Sequence, residues 1–279
     1  MNAPRLDRQT LEFAVGLSER AGTLAAEKFF AADFALAIKA DGSEVTDADL
    51  AVETLIRDEL AARFPADEIY GEETGTTAGT SDRRWIIDPI DGTRYFAYRI
   101  PIFGTNLALE DEHGPALAVI NQPVARQLIY AGRGWGCRVR TDGRDLVPVL
   151  RDDPDLAAAR VELVNPDGWP ADVLLTLHRH TRITGHLGGI GGLLTGLVDA
   201  LVIAGTEMGY EDLAPLPLIL DEAGGTATDL HGGPLLAGDG TALLSTGRHH
   251  DALLDLLAPV LAADPAGRRR QPQERRVCW

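Results

Sequence analysis

The stretch Trp85-Ile86-Ile87-Asp88-Pro89-Ile90-Asp91-Gly92-Thr93 constrains this chain more than any other. Its apolar, β-branched start reads as a buried strand. Pro89 has no N–H to give to a ladder, so the strand is expected to end at Asp88. Asp91-Gly92 then turns the chain, and Thr93 is placed to cap the next element. Two carboxylates three residues apart therefore stand at a strand end, where α/β proteins place ligand chemistry. Two anions held so close repel unless a proton or a cation joins them. A hard divalent cation such as Mg²⁺ suits them, because every donor is oxygen and no Cys or His is near. Read alone, D-x-x-D-G is more simply a polar turn, and only the rest of the chain outweighs that reading.

With 279 residues the chain can form one large domain or two halves. A net charge of −16 argues against general nucleic-acid binding. It leaves a phosphorylated substrate open, since bound cations reverse the local sign. Hydrophobic residues make up 45%, which points to a globular fold. No apolar run approaches the ~20 residues of a membrane helix. The first twenty residues alternate charge with Leu, Phe and Val and lack a signal-peptide core. No membrane partner and a cytoplasmic location are expected. The two cysteines, Cys137 and Cys278, read as unpaired thiols.

Residues 11–30 have helical spacing, with Phe13, Leu17, Ala21 and Leu24 on one stripe. Thr46-Asp47-Ala48-Asp49 is a capping-box start for a helix to about Arg63. A short strand should lead into Glu72 and Glu73, and residues 74–82 read as a surface loop. Apolar runs at 102–109, 116–121, 127–131 and 137–140, separated by turn signals, predict an antiparallel meander. Beyond about residue 150 the pattern alternates: strands at 161–165, 199–204, 226–229 and 243–246, helices at 169–179, 187–197, 212–223 and 250–261. The expected organisation is an α+β half over 1–150 carrying most site residues and an α/β half over 151–265 completing the site. An Arg-rich tail over 266–279 reads as solvated and disordered. The glycines from Gly185 to Gly192 fail the G-x-G-x-x-G test for a dinucleotide loop.

Glu72 ends one strand, Asp88 and Asp91 flank the next loop, and Asp212 starts a helix far downstream. Acidic groups from separate segments suit two cations ~4 Å apart, which neutralise a phosphate and lower the pKa of an attacking water. The N–H groups of Gly92 and Thr93, if they open a helix, would face phosphate oxygens.

Four patterns carry a resemblance. They are Asp41-Gly42-Ser43-Glu44-Val45-Thr46 with Asp49, the G-E-E at Glu72, the D-P-I-D-G-T at Asp88 to Thr93, and the E-D-L-A-P at Asp212 followed by Asp221-Glu222-Ala223-Gly224-Gly225. In this order and spacing they resemble the inositol monophosphatase family over about residues 11–261. The resemblance implies an α+β, layered αβαβα sandwich of the inositol monophosphatase and fructose-1,6-bisphosphatase type. It implies a Mg²⁺-dependent, Li⁺-sensitive phosphomonoesterase, usually a homodimer, with two or three Mg²⁺ ions per active site and a small phosphorylated metabolite as substrate. Glu72, Asp88 and the carbonyl of Ile90 would bind one metal, and Asp88, Asp91 and Asp212 the second. Thr93 and Asp49 would orient and deprotonate the attacking water, with Glu73 supporting them. Asp91, Gly92, Thr93 and Asp212 would border the phosphate.

The chain departs from the family at Glu211, usually Trp, at Tyr95, usually Asn, and at Ile203, usually acidic. Glu207 is the candidate to replace that acid and His186 to face the leaving group. These departures speak against both inositol phosphate and histidinol phosphate and suit a specialised sugar or cyclitol phosphate. Asn165-Pro166-Asp167-Gly168-Trp169 and the Arg182-x-x-Gly185 step resemble the histidinol-phosphatase-like branch. The alternative is a catalytically silent member that keeps the fold as a regulatory, metabolite-binding module.

Overall fold

The structure is a computed structural model and describes residues 3–32, 34–39, 42–166, 169–204 and 208–263. Elements up to residue 148 are α1 (Arg8–Ala31), β1 (Leu36–Ile38), β2 (Glu44–Thr46), α2 (Asp47–Arg63), β3 (Glu68–Gly71), β4 (Gly75–Thr77), β5 (Arg84–Asp91), α3 (Thr93–Ala97), β6 (Gly104–Asp111), β7 (Gly114–Gln122), β8 (Gln127–Gly132), β9 (Gly136–Thr141) and β10 (Arg144–Leu146). There follow β11 (Arg160–Leu163), α4 (Ala171–His180), β12 (Arg182–Thr184), α5 (Ile190–Leu194), β13 (Ala200–Ile203), α6 (Tyr210–Leu213), α7 (Leu216–Ala223), β14 (Thr226–Thr228), β15 (Ala242–Ser245) and α8 (His250–Ala263). Two compact units result, Met1–Pro148 with Tyr210–Ala223, and Val149–Gly209 with Gly224–Trp279.

In the first unit an eight-stranded sheet runs β10-β9-β8-β7-β6-β5-β3-β4. Only β3 and β5 pair in parallel, and the rest are antiparallel neighbours. Asp7 starts α1 by accepting from the Thr10 N–H at 2.9 Å. The helix buries Ala14, Leu17, Ala21 and Ala25, while Phe13 and Leu24 lie at the margin. The capping box at Thr46 and Asp49 starts α2, which buries Val52, Ile56 and Leu60. Both helices cover one face of the sheet through Trp85, Ile87, Leu107, Leu117 and Val119. Each such side chain contributes roughly 1.5–3 kcal/mol by leaving water.

The second unit has a five-stranded sheet, β12-β11-β13-β15-β14, with β11 parallel to both its neighbours. Val161, Val173, Leu177, Val202, Leu243, Leu253 and Leu257 form its core.

Several expectations change. The strand β5 does not end at Asp88 but runs on to Asp91 through a bulge, with Asp88 opposite Asn106 and Asp91 opposite Gly104. Pro89 is tolerated because the bulge asks no ladder N–H of it, and its carbonyl accepts from Thr105 Oγ1 at 2.9 Å. Gly92, not Thr93, is the helix N-cap, at a φ of 89° that favours glycine. Residues 75–77 pair with β3 as a hairpin rather than forming a loop. The helix expected over 187–197 is confined to 190–194, because Gly188, Gly189 and Gly196 take positive φ. Pro215 splits the one expected over 212–223 into α6 and α7. These two helices belong to the first unit rather than the C-terminal half, because Tyr210, Glu211 and Ala214 bond or pack onto β3, β5 and β6. The tail over 266–279 lies outside the described residues.

Candidate active site

The bulge in β5 shapes the site. It lets Asp88 and Asp91, three residues apart, present their carboxylates together, and α6 brings Asp212 to them. One oxygen from each lies within 4.8 Å of the other two. Asp88 is buried, and Asp91 and Asp212 partly so. Asn106, on the neighbouring strand, donates through Nδ2 to Asp88 Oδ2 at 3.1 Å and Asp91 Oδ2 at 3.4 Å. Asp88 Oδ1 is buried without a partner among the described residues.

Burial, followed by the charges of Asp91, Asp212 and Glu72, pushes the Asp88 carboxyl well above its ordinary value. Burial raises Asp91 too, against the bond from Asn106. Three gathered carboxylates with one orphaned buried oxygen could hold a divalent cation. All the donors are hard oxygens, so the set fits Mg²⁺.

A second arm comes from α2 and α3. Thr93 Oγ1 lies 3.0 Å from Asp49 Oδ1 and 3.0 Å from the Ile90 carbonyl. Asp49 is buried on the inner face of α2, and its other oxygen accepts from the Thr46 N–H at 2.8 Å. It therefore caps α2 and at the same time meets the Thr93 hydroxyl. Burial raises its carboxyl, against the bonds from Thr46 and Thr93.

The third arm is the β3–β4 hairpin. Lys39 Nζ bridges Glu72 and Glu73 at 2.8 Å to each. Burial raises Glu73 to about 7, against the pull of Lys39. Glu72 lies outside the three-carboxylate group, but burial and the charges of Glu211 and Asp49 raise it as well, against Lys39.

Glu53, fully buried on α2, holds this hairpin in place. It accepts from the Glu73 N–H at 2.8 Å, the Thr74 N–H at 3.1 Å and Arg57 Nε at 2.8 Å. Arg57 in turn reaches the carbonyls of Ile69 and Gly75. The approach requires Gly71, since a Cβ there would stand 2.4 Å from Glu53 Oε1 and 2.7 Å from Arg57 Nη2. Gly71→Ala should therefore destabilise the protein by about 1–3 kcal/mol through overpacking. A thermal melt reads this directly, and an unchanged midpoint would contradict it.

Of the other expected residues, Ile90 places its carbonyl oxygen 3.0 Å from Thr93 Oγ1, and Gly92 turns the chain. His186 belongs to the second unit, where its Nδ1 pairs with Glu162 Oε1 at 2.8 Å. Glu207 lies outside the described residues, as does Asp41.

The sequence reading missed Asn106, Lys39, Glu53 and Arg57. Two signals were present. Asn106 is a polar residue inside an apolar strand, and Asp49, Glu53 and Arg57 recur every four residues along one helix face.

The model of the family described as "Inositol monophosphatase family" matches residues 6–262. A histidinol-phosphatase of Mycobacterium tuberculosis is 32% identical over 263 residues, covering 90% of this chain and 99% of the relative. One of Streptomyces coelicolor is 34% identical over 262 residues, covering 88% and 96%. Among solved structures, the Thermotoga maritima IMPase superposes with a TM-score of 0.79 at 26% identity, covering 91% of this chain and 99% of that one. The mixed sheets with flanking helices are the layered α+β fold of these enzymes. The family is metal-dependent, and its members hydrolyse small phosphorylated substrates. Among the described residues no helix is long and apolar enough to cross a membrane. The chain is a member of the inositol monophosphatase family and a phosphoric monoester hydrolase.

Proposed function

We propose that the chain hydrolyses the phosphate ester of a small alcohol with Mg²⁺, and that histidinol phosphate is its first candidate substrate. The observation that carries the metal reading is the orphaned, buried Asp88 Oδ1 beside two further carboxylates. The histidinol-phosphatases at 32% and 34% identity support the substrate.

In this reading Glu72, Asp88 and the Ile90 carbonyl would hold one ion, and Asp88, Asp91 and Asp212 would hold a second. Ions held there supply charge neutralisation for the phosphate and a lowered pKa for the attacking water. Thr93 Oγ1 gives its proton to Asp49 Oδ1 in a hydrogen bond and turns a lone pair to the water. Asp49 is the base behind it. Glu73 supports Glu72 through their shared Lys39. The N–H groups of Gly92 and Thr93 border the phosphate with Asp91 and Asp212. The enzyme works as a cytoplasmic homodimer.

The test is phosphate release across a panel of histidinol, inositol, sugar and cyclitol phosphates, fructose 1,6-bisphosphate and 3′-phosphoadenosine 5′-phosphate. EDTA should silence the reaction and Mg²⁺ restore it, with histidinol phosphate giving the highest kcat/KM. A rate indifferent to the chelator would overturn the metal reading. Preference for another ester would overturn the substrate alone.

A further inference from the structure

Asp212 reaches the other carboxylates from α6, a helix of only four residues. A single helical turn has too few backbone bonds to hold itself in place. Two side-chain ties flank Asp212 instead. The Tyr210 hydroxyl donates to Glu110 on β6. The Tyr70 hydroxyl, from β3, donates to Glu211 Oε2 at 2.9 Å.

Arg84 of β5 links the two ties. Its guanidinium carbon stands 4.9 Å from the centre of the Tyr70 ring and 5.4 Å from that of Tyr210. It also pairs with Glu68 at 3.1 Å. Both tyrosine rings pack on a small apolar cluster of Ile86, Ala108 and Ala214. Glu211 thus adds a carboxylate near an already acidic centre, where repulsion makes it costly. Its bond to Tyr70 gives that carboxylate a structural task.

We propose that the Tyr70–Glu211 hydrogen bond, backed by Arg84 against Tyr70 and Tyr210, is the positioning device that aims Asp212 at Asp88 and Asp91, and so sets the affinity of the Asp212-dependent cation. Tyr70 is a positioning residue that acts through Glu211. The proposal rests on the metal reading above.

Tyr70→Phe tests it cleanly, because it removes one hydroxyl while keeping the ring and the charge. Mn²⁺ serves as the probe, and free ion is counted by electron paramagnetic resonance on the full chain without substrate. Asp212→Asn should weaken one class of Mn²⁺ site. Tyr70→Phe should weaken the same class about tenfold, as loss of a supporting partner does. In the Asp212→Asn background the same change should have no further effect. Parental affinity in Tyr70→Phe overturns the positioning role and leaves the metal reading intact. A further tenfold loss in the double variant also overturns it, since Tyr70 would then act elsewhere. Parental binding by Asp212→Asn itself overturns the metal reading and the positioning role with it.

Discussion

Asp88→Asn should lower phosphate release by about a thousandfold or more, which is roughly 4 kcal/mol of transition-state stabilisation, while the chain stays folded. Asp91, Asp212 and Glu72 all act on the Asp88 carboxylate, and in the proposed reading it would help to hold each ion. Asn has the same shape and can still face Asn106. It cannot supply the anionic oxygen that stands without a partner. Single-turnover phosphate release measures the loss, and turnover at the parental rate would remove Asp88 from the site.

The same substitution should act in the opposite sense on the stability of the chelated protein. Burial and neighbouring carboxylates hold the folded Asp88 carboxyl well above its ordinary value of 3.8. Its contribution to stability is therefore fully present below that ordinary value and is lost as pH rises through the raised one. At neutral pH in EDTA the parental chain carries this repulsion, and the Asn variant does not. Thermal melts in EDTA should show Asp88→Asn more stable than the parent at pH 8, with the gap closing towards pH 5. Added Mg²⁺ should stabilise the parent and not the variant. A variant that melts below its parent at pH 8 in EDTA would show that the carboxylate is not under strain.

How much the amino-acid order reveals depends on the range of the forces involved. The helices α1 and α2 were legible because apolar periodicity and a capping box act over three or four residues. Asp88 and Asp91 were legible as a pair because they stand three residues apart in one short motif, although a bulge rather than a turn lies between them. The course of β5 was not, since the ladder beyond Pro89 depends on Gly104 and Thr105 of a different strand. Lys39 was hidden for the same reason, as it lies in a polar connection and meets Glu72 and Glu73 only through the fold. Glu53 looked like an ordinary helix residue, and its role appears only when the hairpin at Gly71 closes onto it. Gly188 and Gly189 broke a helix that apolar content favoured, because a positive φ cannot be read from composition.

Thr93→Ala and Asp49→Asn should each lower kcat by about 10²–10⁴-fold, the usual range for a general base and its relay. Their combination should be no worse than the stronger single change. The reason is geometric. Thr93 Oγ1 lies 3.0 Å from Asp49 Oδ1, so removing either group breaks one unit. Burial raises the Asp49 carboxyl, which brings it closer to the pH at which a base works well. The Asn change also weakens the cap at Thr46, at about 1 kcal/mol, so melts must accompany its kinetics. Thr93→Ser separates the two effects, because it keeps the hydroxyl and leaves the cap alone. It should retain activity within about tenfold of the parent. Fully additive losses, or a Ser variant as slow as the Ala variant, would mean that the hydroxyl and the carboxylate do not act on the same proton.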